Sequence, residues 1–191
     1  LVLAAALFAP SQALAEFERL GRLIGQLLSL ADAEGGPPGT TTRFDLVVLS
    51  RAVASDMAGL ILSSGRGVGF DSAHETLMIE GHAGLAETAL RNLLENAVRH
   101  TPPGSRVHAT VGRHGDEAVL VVEDDGPGVP ESLRPQVFER FVRGDSSRTR
   151  ASGGAGLGMS LVRAIMHAHH GTATVESTSG DTTFTLTLPR D

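Results

Sequence analysis

Two asparagines, Asn92 and Asn96, stand one helical turn apart in the segment Arg91-Asn92-Leu93-Leu94-Glu95-Asn96-Ala97-Val98-Arg99-His100. Asparagine is a poor interior helix residue because its amide competes for nearby backbone groups. The segment is nonetheless helical in pattern: Leu85, Ala86, Ala89, Leu90, Leu93, Leu94, Ala97 and Val98 recur at the spacing of one buried face. Asn92 and Asn96 fall on a different stripe, which Arg99 and His100 continue a turn later. Two amide oxygens followed by cationic or aromatic groups suit a hard cation and a phosphate chain. A polar helix flank that merely tolerates two asparagines would read the same way.

Two later stretches bear on that choice. Glu123-Asp124-Asp125-Gly126-Pro127-Gly128-Val129-Pro130 follows the apolar run Ala118–Val122, a strand entering a tight turn. A carboxylate at a strand end, with glycines that let a ligand approach the backbone, can accept a hydrogen bond from an exocyclic amine. Most acidic Gly-Pro-Gly segments, however, are only turns. Ser152-Gly153-Gly154-Ala155-Gly156-Leu157-Gly158 then leads into the apolar helical pattern Met159–Ala168. Glycines at a helix entrance expose N–H groups at the positive end of the helix dipole, where phosphate is favoured. The stretch lacks the Lys-Ser/Thr of a P-loop and does not open a first βαβ unit, so it supports neither a Walker site nor a dinucleotide fold.

Taken in order, these pieces resemble the ATP-binding domain of bacterial sensor histidine kinases, within the gyrase, Hsp90, histidine kinase and MutL superfamily. The N box matches Asn92–Thr101, the first glycine box Asp124–Gly128, the F box Val137–Gly144, and the second glycine box Gly154–Gly158. The resemblance is tight from about Gly81 to Pro189. It implies a two-layer α/β sandwich of the Bergerat ATP-binding type, a mixed sheet with helices on one face, preceded by a partial helical hairpin. It implies ATP and Mg2+ as cofactors. Asn96 would hold the metal, and Asn92 would support the same cluster. Asp124 would accept from the adenine amino group and so exclude guanine, and Gly126 and Gly128 would admit the base. Gly154, Gly156, Leu157 and Gly158 would bring N–H groups to the triphosphate. Arg99 would reach phosphate, while His100 stands where the family often has Tyr. Glu95 would polarise a water or orient Asn96, or simply lie on a solvated face. Phe138 and Phe141 are expected to pack and anchor a lid. Arg140 and Arg143 beside them would meet the γ-phosphate or the helical hairpin, and the polar run 143–153 would form the lid.

Composition bounds the rest. The 191 residues suffice for one sizeable domain and a smaller appendage. A net charge of −6 without a basic tract gives no support to nucleic-acid binding. Zero cysteines exclude disulfides and thiolate metal sites. Leu1–Ala9 is apolar but too short to span a bilayer, and Pro10 ends it. The chain starts without Met, so a fragment of something longer is expected; the resemblance implies a cytoplasmic portion attached to a membrane only through an upstream region.

Three regions follow. In residues 1–34, Leu14, Phe17, Leu20, Ile24, Leu27, Leu28 and Ala31 form an apolar stripe suited to a helical bundle, and the resemblance implies that these are partial dimerisation and phosphotransfer helices of a homodimer. A Gly/Pro-rich linker spans 35–44, and the catalytic domain 45–191. In the latter, Asp45 caps a helix to about Leu62, and strands follow near 67–70 and 76–80. The asparagine helix precedes a hairpin over 106–124 turning at 114–116, and a last hairpin over 172–188 turns at 179–181. No histidine lies in the first helical region, so the His-Glu-x-x-x-Pro acceptor box of these kinases is missing. His167, His169 and His170 end a helix, where imidazolium suits the dipole, and read as structural rather than metal-binding. The implied activity is phosphoryl transfer from Mg-ATP to an upstream histidine, for relay to the aspartate of a response-regulator receiver domain. The rivals are an ATP-hydrolysing clamp of the MutL or Hsp90 type and a non-catalytic nucleotide sensor.

Overall fold

The computed structural model describes residues 41–142 and 156–190, together with Gly25, Leu28 and Ala31, which are helical. Apart from those three residues, the expected hairpin of residues 1–34, together with the lid of 143–153, lies outside the described residues.

The described chain starts with β1 (Thr42–Asp45), which pairs antiparallel with β3 (Met78–Gly81) from Thr42↔Gly81 to Asp45↔Met78. This corrects the linker expected to run through residue 44. A four-residue strand whose only apolar member is Phe44 has no alternation to announce it, and its partner lies far along the chain. Asp45 then caps α1 (Leu46–Ser63) as expected: its Oδ1 accepts from the N–H of Val47 at 2.9 Å and from that of Leu77 at 3.1 Å. One carboxylate thus fixes both the helix start and the approach to β3.

α1 has the length and mean hydropathy, 1.6, of a membrane span. Leu46, Val47, Val53, Met57 and Ile61 are instead buried in a core shared with the other helices and the sheet. Ser50 lies on the same face, fully buried, and its hydroxyl has no hydrogen-bond partner among the described residues. A buried unpaired hydroxyl costs on the order of 1 kcal/mol or more, and alanine is also the better helix former. Ser50→Ala is therefore expected to raise the urea midpoint by about 1 kcal/mol of stability at an unchanged m-value. A lower midpoint would show that the hydroxyl is held by something that stabilises the fold.

The main sheet has five strands in the order β2-β4-β5-β7-β6: β2 (Gly67–Ser72), β4 (Arg106–His114), β5 (Glu117–Asp124), β7 (Asp181–Pro189) and β6 (Thr172–Thr178). β2 and β4 run parallel, and every other pair is antiparallel. The sheet is mixed, and α1, α2 (Ala83–His100) and α3 (Gly158–Ala168) lie on one face, the two-layer α/β architecture expected. Core-facing residues of the three central strands stand in rows across the register. Val111, Leu120 and Leu186 form one row, and Ala109, Val122 and Phe184 the next. The row after that is Val107, Asp124 and Thr182. By the alternation of the pleat, Asp124 occupies a core-facing position that Ala118, Leu120 and Val122 fill in apolar fashion. That placement builds the site.

Candidate functional site

α2 connects the parts. Asn92 is half-buried: its Nδ2 donates to the Thr88 carbonyl at 2.8 Å, and its Oδ1 lies 2.9 Å from where a Cβ of Gly158 would stand. Gly158 is the first residue of α3. At the other end of α2, buried Thr101 donates its hydroxyl to the Ala97 carbonyl at 2.7 Å, and its Cγ2 lies 2.7 Å from a Cβ position on Gly126. One helix therefore touches the second glycine box at Asn92 and the first at Thr101. These contacts are roughly nine residues apart, or about 14 Å along the axis. A base can lie at the Thr101 end while a phosphate chain reaches the Asn92 end.

Arg66 pins the Thr101 end. Its Nε donates to Thr101 Oγ1 at 2.8 Å and its guanidinium also donates to the Thr101 carbonyl, placing a cation at the C-terminus of α2 where the dipole favours one.

Asp124 is 7% exposed. Burial pushes its carboxyl up to about 6, against one backbone hydrogen bond from the Gly126 N–H at 3.1 Å that favours the charge; Asp125 and Asp181 add repulsion. Such a carboxylate is an acceptor short of donors. Gly128, two residues beyond Gly126, has φ +84°, and a Cβ there would stand 2.2 Å from the Thr178 carbonyl oxygen, so the turn must be glycine.

Among the described residues, no side chain caps the N-terminus of α3. Leu157, buried, occupies the N-cap position, and the Ser160 hydroxyl donates back to the Leu157 carbonyl at 2.9 Å instead of capping. No described side chain occupies the first N–H groups of this helix, which lie next to Asn92, and such groups suit an anion. Just before it, the Gly156 carbonyl accepts from the Phe141 N–H at 2.9 Å, joining the F box to the second glycine box.

Asn96, one turn after Asn92, is half-buried, and its side chain has no hydrogen-bond partner among the described residues. Glu95 beside it is also half-buried. Arg99 and His100 are exposed in the last turn of α2. Arg143 and Gly154 lie outside the described residues. In the F box, Phe138 packs as expected, edge-on to Phe184 with centroids 6.1 Å apart. Phe141 does not: it is 68% exposed, with φ 64°. Its backbone is engaged by Gly156 while its ring points away from the core, which corrects its reading as a packing residue. Arg140 is exposed, and the neighbouring Glu139 accepts from Arg163 Nη1 of α3 at 2.6 Å.

His169 is buried and structural, as expected, but not as an imidazolium. Its Nε2 accepts from the His82 N–H at 2.9 Å, and its Nδ1 faces the Ile165 carbonyl at 2.8 Å, so one nitrogen accepts and the other donates. Burial pushes its pKa below the usual imidazole value, with His82 and His170 adding repulsion. Burial here outweighs the helix dipole. A group with a lowered folded pKa stabilises fully above its unfolded pKa, near 6.5, and loses that contribution as pH falls. The stability gap between wild type and His169→Gln is therefore expected to be widest at pH 7.5 and to narrow by pH 5.5. A gap independent of pH would overturn the neutral assignment.

Sequence reasoning missed two hydroxyls. Thr182 is 4% exposed and directly opposite Asp124 across the β5–β7 ladder. Ser177, 8% exposed, lies at the end of β6 with its Oγ 3.2 Å from Thr182 Oγ1. A signal exists for Thr182: it precedes Phe184, Leu186 and Leu188 at period two, a hydroxyl in an otherwise apolar inward series.

Residues 81–191 match the family model described as histidine kinase-, DNA gyrase B- and HSP90-like ATPase. The probable sensor histidine kinase TcrY of Mycobacterium tuberculosis is 39% identical over 183 residues, 96% of this chain and 38% of that protein. SenX3, a sensor-like histidine kinase of the same species, is 37% identical over 92% of this chain and 43% of its own length. The chain thus spans about two fifths of the curated relatives it matches. Among solved structures, the mycobacterial sensor histidine kinase MprB superposes with a TM-score of 0.68 at 27% identity, over 78% of this chain and 97% of that one. Full-length ShkA in complex with AMPPNP gives 0.79 at 26% identity, over 93% and 37%.

Proposed function

Because the chain belongs to the histidine kinase-, DNA gyrase B- and HSP90-like ATPase family, we propose that it is the ATP-binding catalytic part of a sensor histidine kinase and transfers the γ-phosphoryl group of Mg-ATP to a histidine upstream. One observation carries the reading: α2 contacts the first glycine box at Thr101 and the second at Asn92, with a donor-poor carboxylate at one end and, at the other, a helix N-terminus that no described side chain caps.

The adenine amino group donates to Asp124, in a pocket whose walls are Gly126, Thr101 and Thr182. Guanine offers an oxygen at that position, which the carboxylate repels. The N–H groups opening α3 take the phosphates, assisted by its dipole. The donor set fits Mg2+: a half-buried amide oxygen on Asn96, unengaged among the described residues, beside the phosphate end of the site. Mg2+ when bound neutralises phosphate charge. Asn92 holds the wall against Gly158, Glu95 orients a water or Asn96, and Arg140 and Arg99 supply charge at the open side. Transfer of this kind is mostly positioning and charge neutralisation.

In the whole protein the acceptor histidine lies on a helical hairpin that dimerises, the phosphoryl group passes on to a receiver-domain aspartate, and this part is the cytoplasmic portion of a membrane sensor. Two measurements test the reading. Calorimetry should show Mg-ATP binding and strong discrimination against GTP. A version extended upstream should acquire acid-labile, base-stable phosphate from γ-labelled ATP. ATP turnover to free phosphate without such labelling would favour the clamp-type ATPase instead.

A further inference from the structure

We infer that Ser177 is a positioning residue for the nucleotide pocket: through one hydroxyl it fixes the first glycine box against the β6–β7 hairpin, in the geometry that Asp124 and Gly126 need to hold adenine. The inference rests on the proposed ATP-binding reading and adds to it a residue outside every box that identified the site.

The Gly126–Val129 turn leaves β5 with few constraints of its own, because glycines at 126 and 128 make it conformationally permissive. The structure restrains it at Val129 from two directions. The Val129 N–H donates to Ser177 Oγ at 2.8 Å, and the Val129 carbonyl accepts from Arg134 Nε at 3.0 Å. Arg134 opens the 3-10 turn Arg134–Gln136 that follows the box. Both backbone groups of one residue are thereby held by side chains, one from β6 and one from the chain just downstream.

Ser177 is not an ordinary strand residue. Its hydroxyl donates to the Asp181 carbonyl at 3.1 Å and stands 3.2 Å from Thr182 Oγ1. A serine hydroxyl has one proton and two lone pairs. With the proton on the Asp181 carbonyl, the lone pairs accept from Val129 N–H and from the Thr182 hydroxyl, and its capacity is filled. Thr182 is then oriented by Ser177 on one side while lying opposite Asp124 on the other. The same oxygen thus reaches both walls of the base pocket: the glycine turn directly, and the Asp124 row through Thr182. The approach is close, since a Cβ at Gly128 would stand 3.1 Å from Ser177 Oγ and 2.2 Å from the Thr178 carbonyl.

Ser177 sits at the base end of the site, so its loss should weaken every adenine nucleotide by the same factor. In the full chain, Ser177→Ala is expected to raise the dissociation constants of Mg-ATP and Mg-ADP about tenfold each, and to speed amide exchange at Val129 at least tenfold. Exchange in the α1 and α2 core should stay unchanged. Ser177→Thr, which keeps the oxygen, should recover most of the affinity. Arg134→Gln, which releases the other side of Val129, should weaken both nucleotides several-fold and serves where Ser177→Ala folds poorly. Wild-type affinity in Ser177→Ala would overturn the inference while leaving ATP binding intact. So would a loss accompanied by faster exchange throughout the core, or no recovery in Ser177→Thr. Failure of the wild-type chain to bind ATP at all would instead remove the reading on which the inference rests.

Discussion

Asp124→Asn is expected to stabilise the nucleotide-free protein at pH 7.5 while weakening ATP binding at least tenfold. The two effects share one cause. Asp124 faces the core side of the sheet at 7% exposure and receives a single backbone hydrogen bond, and burial raises its pKa from 3.8 to about 6. A folded pKa above the unfolded one means that the protonated form suits the folded state. The favourable contribution is present below pH 3.8 and is lost as pH rises through 6, so at neutral pH the folded protein carries the cost of an ionised buried carboxylate. A shift of about two units corresponds to roughly 3 kcal/mol as an upper figure. The asparagine keeps an acceptor for the Gly126 N–H but buries an amide NH2 in the row of Val107 and Thr182, which leaves a net gain of about 1–2 kcal/mol. Urea unfolding at pH 7.5 and pH 4 decides the matter: the variant should lead clearly at the higher pH, and the lead should fade at the lower. A wild type as stable as the variant at pH 7.5 would show that the buried charge is compensated. ATP affinity, read in parallel by calorimetry, should fall by at least about 1.4 kcal/mol. On the proposed reading, binding needs the anion that folding disfavours, and such opposition is common where activity and stability meet.

Much of this site is legible in the amino-acid sequence because each box carries its own local signal. The asparagine pair breaks an otherwise apolar helical pattern, the carboxylate ends an apolar strand, and glycines open the last helix. The hairpins over 106–124 and 172–188 are legible for the same reason: period-two alternation is written in consecutive residues. Properties that depend on register are not legible. Nothing local says that Thr182 stands opposite Asp124, that Ser177 reaches Val129, or that α2 spans both glycine boxes, since each joins segments far apart in the chain. β1 escapes for a related reason, being four residues long and defined only by its pairing with β3. Phe141 misleads because an aromatic within a motif suggests packing, whereas its backbone, with φ 64° and an N–H on the Gly156 carbonyl, does the joining. For His169 the sequence indicates the structural role but the wrong charge state, because it shows a helix end and not the burial that overrides it.

Asn96→Ala should separate the metal from the base. The Asn96 side chain makes no hydrogen bond among the described residues, and alanine is the better helix former by about half a kcal/mol, so unfolding should show no loss of stability. Nucleotide binding in the absence of metal should also hold, because Asp124, Gly126 and the start of α3 remain. The enhancement of ATP affinity on adding Mg2+ should disappear, and in the upstream-extended protein phosphoryl transfer should drop at least about 100-fold, the scale on which loss of one placed electrostatic contact is felt in catalysis. Asn92→Ala provides the contrast. Asn92 bonds to the Thr88 carbonyl and fills the space against Gly158, so its loss should weaken nucleotide binding with or without metal. Titration of ATP with Mg2+ and with chelator, on both variants, reads the difference directly. If Asn96→Ala keeps the wild-type magnesium enhancement, the oxygen that meets the metal comes from another residue, and the chemical reason for an asparagine at this half-buried position of α2 would have to be sought elsewhere.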